Sequence, residues 1–164
     1  INYQPFWNYI EEVERIGVHI LNNESILFSE SEGVRITGLE LPIEYYEKGR
    51  IVPMEQEYLQ ELLLKPEGNA YDILLAHNPA YAEQYAHWGA DITFCGHNHG
   101  GLIRIPGIGS LLSPQLTLFP KYDAGRFQRK GKEIIVSRGL GTHTFHIRIF
   151  NRAELVNIQF SPKK

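Results

Sequence analysis

The sequence has little cysteine, no long apolar run and no marked excess of charge of either sign. Its one cysteine, Cys95, cannot form a disulfide within the chain, which fits a reducing compartment or a protein that needs no bridges. No apolar run approaches the roughly 20 residues that a membrane-spanning helix requires. The net charge of -3 is interspersed along the chain, so no basic surface predicts a nucleic-acid partner.

The beginning of the sequence also lacks the features of a signal peptide. Residues 1–17 contain no initiator methionine, no basic region and no small-residue cleavage site, so we expect the chain to begin partway through a protein. With 164 residues, 43% of them hydrophobic, it is long enough to bury the core of one domain. The sequence leaves the location open between cytoplasmic and membrane-associated.

Two continuous apolar segments predict parallel strands that are buried on both faces. They are residues 71–76 (YDILLA) and residues 91–95 (DITFC). A helix is predicted between them, from about residue 80 to residue 88, and Gly89 ends it. Strand, helix and strand in this order form a βαβ unit, so we expect an α/β fold with a mixed sheet and flanking helices.

The remaining elements are predicted from helical spacing or from short apolar runs. The other predicted helices cover residues 5–16 and 54–64. The other predicted strands cover residues 18–21, 25–29, 34–40, 133–137, 145–150 and 154–160, the first three as a meander. Residues 105–120, rich in proline and glycine, are predicted to form a loop.

Histidines follow both buried strands of the βαβ unit. His77 comes directly after the first strand, and His97 and His99 come after the second. Ligand crevices of open α/β sheets lie at the carboxyl ends of the strands. Because His97 and His99 are two residues apart, extended geometry would send their side chains to the same side. We therefore expect the three imidazoles to meet in one pocket.

Three imidazoles at one sheet edge favour a metal site. Neutral imidazole is a common zinc ligand and also suits iron, manganese and nickel when carboxylates complete the shell. His77 taken alone is more often a capping residue, whereas two histidines between glycines at an apolar strand exit need a reason. His143 could line the cleft or lie on a surface loop. Asp72 and Asp91 start strands, so we expect them to be structural.

Two of these segments resemble motifs of a known family. HNP at residues 77–79 and GHNHGG at residues 96–101 resemble the last two metal motifs of the calcineurin-like metallophosphoesterases. Residues 118–127 (LFPKYDAGRF), 137–141 (SRGLG) and 147–151 (IRIFN) are similar to a subgroup of small bacterial phosphohydrolases, many of them membrane-associated. The resemblance covers the chain from about residue 71 onward and implies an α/β/β/α sandwich.

The resemblance also implies a ligand set and a reaction. In the family, the residues that match His77 and His97 bind one metal, and the residue that matches His99 binds the other. Two divalent ions, manganese, iron or zinc, would activate a hydroxide that hydrolyses a phosphoric ester. The substrate would be a small-molecule or lipid-linked phosphoester. Tyr122, Arg126 and His143 are candidate substrate contacts, since arginine binds phosphate well, although an exposed arginine is more often solvated.

The first motifs of the family do not occur in the sequence. These are Asp-x-His, Gly-Asp and Gly-Asn-His followed by an acid, and they would supply the bridging aspartate, an asparagine ligand and the histidine that protonates the leaving group. We therefore assign no catalytic residue within the chain and expect the general acid upstream of it. Residues 1–164 are expected to form the C-terminal portion of a single metallophosphoesterase domain, an incomplete sandwich that is inactive alone.

Alternatives from other classes remain. A mononuclear zinc site with three histidines and a water would be complete within this chain. A non-catalytic scaffold that binds a partner is the other alternative. The missing N-terminal half, or a second copy of the chain, would complete the fold, since half a sandwich leaves a sheet face exposed.

Overall fold

The computed structural model describes residues 4–29, 33–142 and 146–161 of the chain. Its α-helices are α1 (Gln4–Arg15), α2 (Tyr58–Leu62) and α3 (Ala82–Trp88), and short 3-10 helices span Ile43–Tyr46 and Pro79–Tyr81. Its strands are β1 (Ser25–Ser29), β2 (Val34–Leu39), β3 (Tyr71–Ala76), β4 (Ile92–Cys95), β5 (Ile103–Ile105), β6 (Gly109–Leu112), β7 (Gly125–Arg129) and β8 (Lys132–Val136). Within the described residues, no helix is long and apolar enough to cross a membrane.

A mixed six-stranded sheet organises the molecule. Its strand order is β1-β2-β3-β4-β8-β7, and a separate antiparallel pair is formed by β5 and β6. The four central strands run parallel, while the edge strands β1 and β7 are antiparallel to their neighbours. This arrangement confirms the predicted α/β class with a mixed sheet and flanking helices.

The βαβ unit predicted from the sequence is present as β3, α3 and β4. Pro79 begins the turn into the helix, where its fixed φ is favourable, and the side chain of Asn78 accepts a hydrogen bond from the backbone N–H of Ala80 at 3.1 Å. Gly89 ends α3 with φ 120°. β3 and β4 pair in parallel, so both strands leave the sheet at the same edge.

The hydrophobic core lies between one face of the sheet and the helices α2 and α3. Leu74, Ile134 and Val136 contribute from the strands, and Leu59 and Trp88 contribute from the helices, each at most 1% exposed. Burying a side chain of this size stabilises the fold by roughly 1.5–3 kcal/mol. The core therefore fixes α3 and the strands β3 and β4, whose carboxyl ends lead into His77 and His97.

Two predicted strands, at residues 18–21 and 154–160, are wrong. Residues 18–21 form no strand, although β1, the neighbour expected in a meander, is an edge strand of the sheet. The segment crosses β2 instead, where a Cβ at Gly38 would lie 2.2 Å from the carbonyl oxygen of Leu21. Residues 154–160 also form no strand, and Phe160 packs its ring against Tyr71 with centroids 5.7 Å apart. Both segments are also largely exposed, with Ile20 40% and Leu155 85% exposed, so apolar alternation indicates neither strand pairing nor burial here.

Other boundaries also differ from the predictions. The helix predicted at residues 54–64 is only α2, because Leu63 is already extended and a proline at position 66 disfavours helix in the residue before it. The predicted loop at residues 105–120 contains β6, and β7 was not predicted. The described part of the strand predicted at residues 145–150 forms only a single bridge, from Ile149 to Ile103.

Candidate metal centre

Two histidine rings meet where β3 and β4 leave the sheet. The ring centroids of His77 and His97 are 5.0 Å apart and their planes are inclined by 76°. The backbone N–H of Gly96 donates to the carbonyl of His77 at 3.1 Å, which continues the pairing one residue past the strands. A side chain at Gly96 would begin 3.8 Å from the His77 ring, so the glycine leaves the space beside the ring open.

His99 reaches this edge through a turn and not through an extended segment. The φ values of His97 and His99 are 57° and 46°, and those of Gly100 and Gly101 are 71° and 87°. Backbone hydrogen bonds of 2.6 Å close the turn, from Asn98 to Gly96 and from Gly101 to Asn98. The expectation of extended geometry is therefore wrong here, because left-handed residues reverse the chain direction immediately after β4.

The environment of His77 favours its neutral form. The ring keeps a solvent-exposed side, yet the surrounding protein atoms desolvate it, and this burial together with the charge of His99 lowers the pKa of His77. A neutral imidazole offers a lone pair to a metal ion, whereas a protonated one does not. The surroundings of His77 therefore favour the protonation state that a metal ligand requires.

The histidines are suited to part of a metal site and not to a whole one. Among residues 4–29, 33–142 and 146–161, no group of three or more His, Cys, Asp or Glu side chains is arranged to hold a metal ion. Zinc prefers four ligands, and a pair of ions needs more. The adjacent rings of His77 and His97 can contribute to a shared donor set, but a mononuclear site with three histidines has no support in this arrangement.

Tyr46 is a neighbour of the histidines that the sequence analysis missed. Its ring centroid lies 5.3 Å from that of His97 and 6.0 Å from that of His77. Burial raises the pKa of its phenol, so the group stays protonated at neutral pH. Tyr46 ends a 3-10 helix that is far from the histidines in sequence, and no spacing pattern could have associated it with them.

The asparagines that follow His77 and His97 serve the fold. The Nδ2 of Asn78 donates to the carbonyl of Tyr45 at 2.8 Å, and the Nδ2 of Asn98 donates to the carbonyl of Tyr122 at 2.8 Å. Both side chains are buried. These bonds tie the two histidine loops to the segments that surround them.

Cys95 ends β4 immediately before this turn. The side chain is buried and packs in the core. Burial raises the pKa of the thiol far above its usual range, so the thiolate needed for metal binding is disfavoured. Cys95 is therefore a small core residue of the described fold.

The candidate substrate residues occupy different places. The phenol of Tyr122 is buried and donates to Glu83 at 2.8 Å, while Nε of Arg129 donates to the same phenol oxygen at 2.6 Å. The side chain of Arg126 is 73% exposed and binds Glu133 through two hydrogen bonds. His143 lies outside the described residues. Tyr122 is therefore held by Glu83 and Arg129, and Arg126 forms a surface ion pair with Glu133, while contact of either residue with substrate stays a prediction.

The aspartates at the start of the strands have structural partners. Asp91 accepts a hydrogen bond from the backbone N–H of Asp72 at 2.9 Å and binds Lys132 at 2.7 Å. Asp72 binds Arg35 at 3.3 Å. These contacts lie at the amino ends of β3 and β4, whereas the histidines follow the carboxyl ends.

Comparison with known proteins gives relatives over part of the chain. It is 31% identical over 85 residues to the uncharacterized metallophosphoesterase YkuE of Bacillus subtilis (strain 168), a match that covers 52% of this chain and 29% of that protein. It is 31% identical over 93 residues to the phosphodiesterase YaeI of Escherichia coli (strain K12), covering 57% and 33%. It is 28% identical over 136 residues to the uncharacterized protein YpbG of Bacillus subtilis (strain 168), covering 81% and 44%.

These matches confirm the resemblance to metallophosphoesterases that the sequence motifs indicated. The matched regions span less than half the length of each of these relatives. No family model matches the chain, and no solved structure matches it significantly.

Proposed function

Because the chain resembles metallophosphoesterases, we propose that it supplies part of the active site of a metal-dependent phosphoester hydrolase. The observation that carries the proposal is the pair of imidazoles at the exits of β3 and β4, with ring centroids 5.0 Å apart. Parallel α/β sheets place ligands at this edge. The names of two relatives, metallophosphoesterase and phosphodiesterase, agree with a phosphoric ester as substrate and with a divalent ion as cofactor.

In this proposal His77, His97 and His99 are metal ligands. Two divalent ions, manganese, iron or zinc, would lower the pKa of a bound water and stabilise the charge on the phosphoryl oxygens. His77 contributes a neutral ring because its surroundings disfavour the proton. Tyr46 shields one side of the ring pair from water, and its phenol remains a hydrogen-bond donor. Tyr122, Arg126 and His143 are proposed as substrate contacts.

The rest of the donor set would come from outside this chain. Carboxylate and asparagine ligands, and the general acid, are proposed to lie in a missing N-terminal half or a second copy, with which residues 1–164 form an α/β/β/α sandwich. Support comes from the described residues, which bring two imidazoles together without a complete group of metal donors. The substrate, a small-molecule or lipid-linked phosphoester, would bind where the two parts meet.

The test replaces one proposed ligand and one unrelated histidine. In the protein that carries this chain, His97→Ala is expected to lower metal content and phosphodiesterase turnover together, because one donor is lost. His19→Ala is the control, since His19 is exposed and lies in the segment before β1. Metal content and turnover of His97→Ala equal to those of His19→Ala would refute the ligand assignment. Absence of both metal and turnover from the unaltered protein would favour the non-catalytic scaffold.

A further inference from the structure

Three consecutive residues after β4 adopt left-handed backbone conformation. Their φ values are 46° at His99, 71° at Gly100 and 87° at Gly101. Glycine adopts this conformation readily, whereas a residue with a Cβ does so at a cost. The conformation of His99 therefore needs support from outside the turn.

Asn151 supplies such support. Its Nδ2 donates to the carbonyl of His99 at 2.7 Å and to the carbonyl of Gly101 at 2.6 Å. Asn151 is 3% exposed and lies 52 positions beyond His99 in the chain, so these are tertiary contacts. The two bonds hold both ends of the left-handed segment from one amide group.

The oxygen of the same amide group indicates that the donated hydrogen bonds are the contribution of Asn151. The Oδ1 of Asn151 is buried and has no hydrogen-bond partner among the described residues. A buried polar atom without a partner destabilises a fold, so the amide is a poor choice for packing alone. Its two donated hydrogen bonds are the contribution that a side chain without an N–H group could not make.

The surroundings of Asn151 are built to keep it in place. The backbone N–H of Arg104 donates to the carbonyl of Ile149 at 3.0 Å, and the N–H of Ile149 donates to the carbonyl of Leu102 at 3.0 Å. A Cβ at Gly100 would lie 2.6 Å from Oδ1 of Asn151, so glycine allows the close approach. The segment that carries Asn151 is thus fastened directly after the histidine turn.

We propose that Asn151 is a positioning residue that holds the backbone of His99 in the left-handed conformation and so directs its imidazole toward the metal site. The inference rests on the proposed role of His99 as a ligand. Partners that orient metal ligands from behind typically change metal affinity by roughly 10-fold to 100-fold when they are replaced. Asn151 would act through the main chain of His99, without touching metal or substrate.

Asn151→Asp tests the proposal with little change of shape. The substitution replaces the two N–H donors by a carboxylate oxygen that faces two carbonyl oxygens. We expect the affinity for Mn²⁺, measured by titration calorimetry on the protein that carries this chain, to fall about tenfold or more. We also expect the ¹³C shifts of His99 Cα and Cβ in the metal-free chain to leave their left-handed values.

Ser113→Ala is the matched control. Ser113 is 1% exposed, and its Oγ accepts a hydrogen bond from the N–H of Thr117 at 3.1 Å, so this variant loses a buried bond elsewhere. Asn151→Ala serves if the aspartate variant fails to fold, as judged by circular dichroism. An Asn151 variant that matches Ser113→Ala in affinity and in His99 shifts would overturn the proposal.

The two readouts separate this inference from the proposed function. If the unaltered protein that carries this chain binds no Mn²⁺ while the His99 shifts move only in the Asn151 variants, the backbone role of Asn151 stands and the ligand role of His99 fails. If the unaltered protein binds Mn²⁺ and the Asn151 variants bind it equally well, the proposed function stands and the positioning role fails.

Discussion

Gly101 offers a sharp test of the turn that carries His97 and His99. Its φ is +87°, and a Cβ built there would lie 1.8 Å from Oγ of Ser110 and 2.9 Å from the carbonyl oxygen of Leu112. Gly101→Ala therefore combines a backbone cost with a steric overlap. Gly107 is the matched control, because its φ is +80° and a Cβ there meets nothing within 4 Å.

The magnitudes follow from the two contributions. Alanine in the left-handed conformation costs about 1–2 kcal/mol, which applies to both variants. Overpacking against Ser110 and the backbone of Leu112 adds about 1–3 kcal/mol for Gly101→Ala alone. For a domain of this size, each kcal/mol corresponds to roughly 2–4 °C in Tm. The two variants should therefore differ by about 2–12 °C in thermal unfolding.

The assay is thermal unfolding followed by circular dichroism, with both variants at the same pH and concentration. A third variant, Gly101→Ala with Ser110→Gly, removes the closest overlap but keeps the contact with Leu112, so it should recover part of the loss. Equal Tm values for Gly101→Ala and Gly107→Ala would refute the claim that the turn is packed tightly against β6.

Two further predictions concern the ion pair between Arg138 and Glu154 and the hydrophobic core. Hydrogen bonds from Arg138 lower the pKa of Glu154 below its usual 4.5, so its stabilising contribution is present above that pH and is lost as the pH falls through the folded value. Urea unfolding of Glu154→Gln should show a weaker acid dependence than the unaltered chain, and an identical dependence would contradict the assignment. Ile134→Ala should cost about 2–5 kcal/mol by urea unfolding, because Ile134 is fully buried. Ile108→Ala, at a side chain 70% exposed, should cost less than about 0.5 kcal/mol, and equal losses would contradict the core assignment.

The sequence was most informative where burial and local chain geometry agree. β3, α3 and β4 were predicted because continuous apolar runs and the Pro79 and Gly89 signals describe a βαβ unit without reference to distant residues. The same reasoning failed for residues 18–21, whose apolar side chains Val18 and Ile20 stay 46% and 40% exposed while the backbone at Leu21 passes over Gly38 of β2. Periodicity reports the spacing of apolar residues and does not report where the backbone of a segment lies in the tertiary fold.

The sequence predicted which histidines follow the strands at this edge of the sheet, but not the conformation of the turn that carries His97 and His99. The proximity of His77 to His97 follows from parallel strands, whereas the turn at His99 depends on left-handed residues that alternation does not reveal. Tyr46 and Asn151 approach the turn from distant parts of the chain, so only the tertiary fold associates them with it. Local patterns located the candidate ligands, whereas the contacts of Tyr46 and Asn151 with them required coordinates.

Because Cys95 is buried at the end of β4, alkylation of its thiol would report local opening of that strand. A protonated thiol in the core is shielded from alkylating reagents, and this sequence carries no other thiol to confuse the signal. Each labelling event would therefore report one local opening in which β4 separates from its neighbouring strands together with His97. Labelling that slows when a divalent ion is added would show that the cation and the strand are energetically linked.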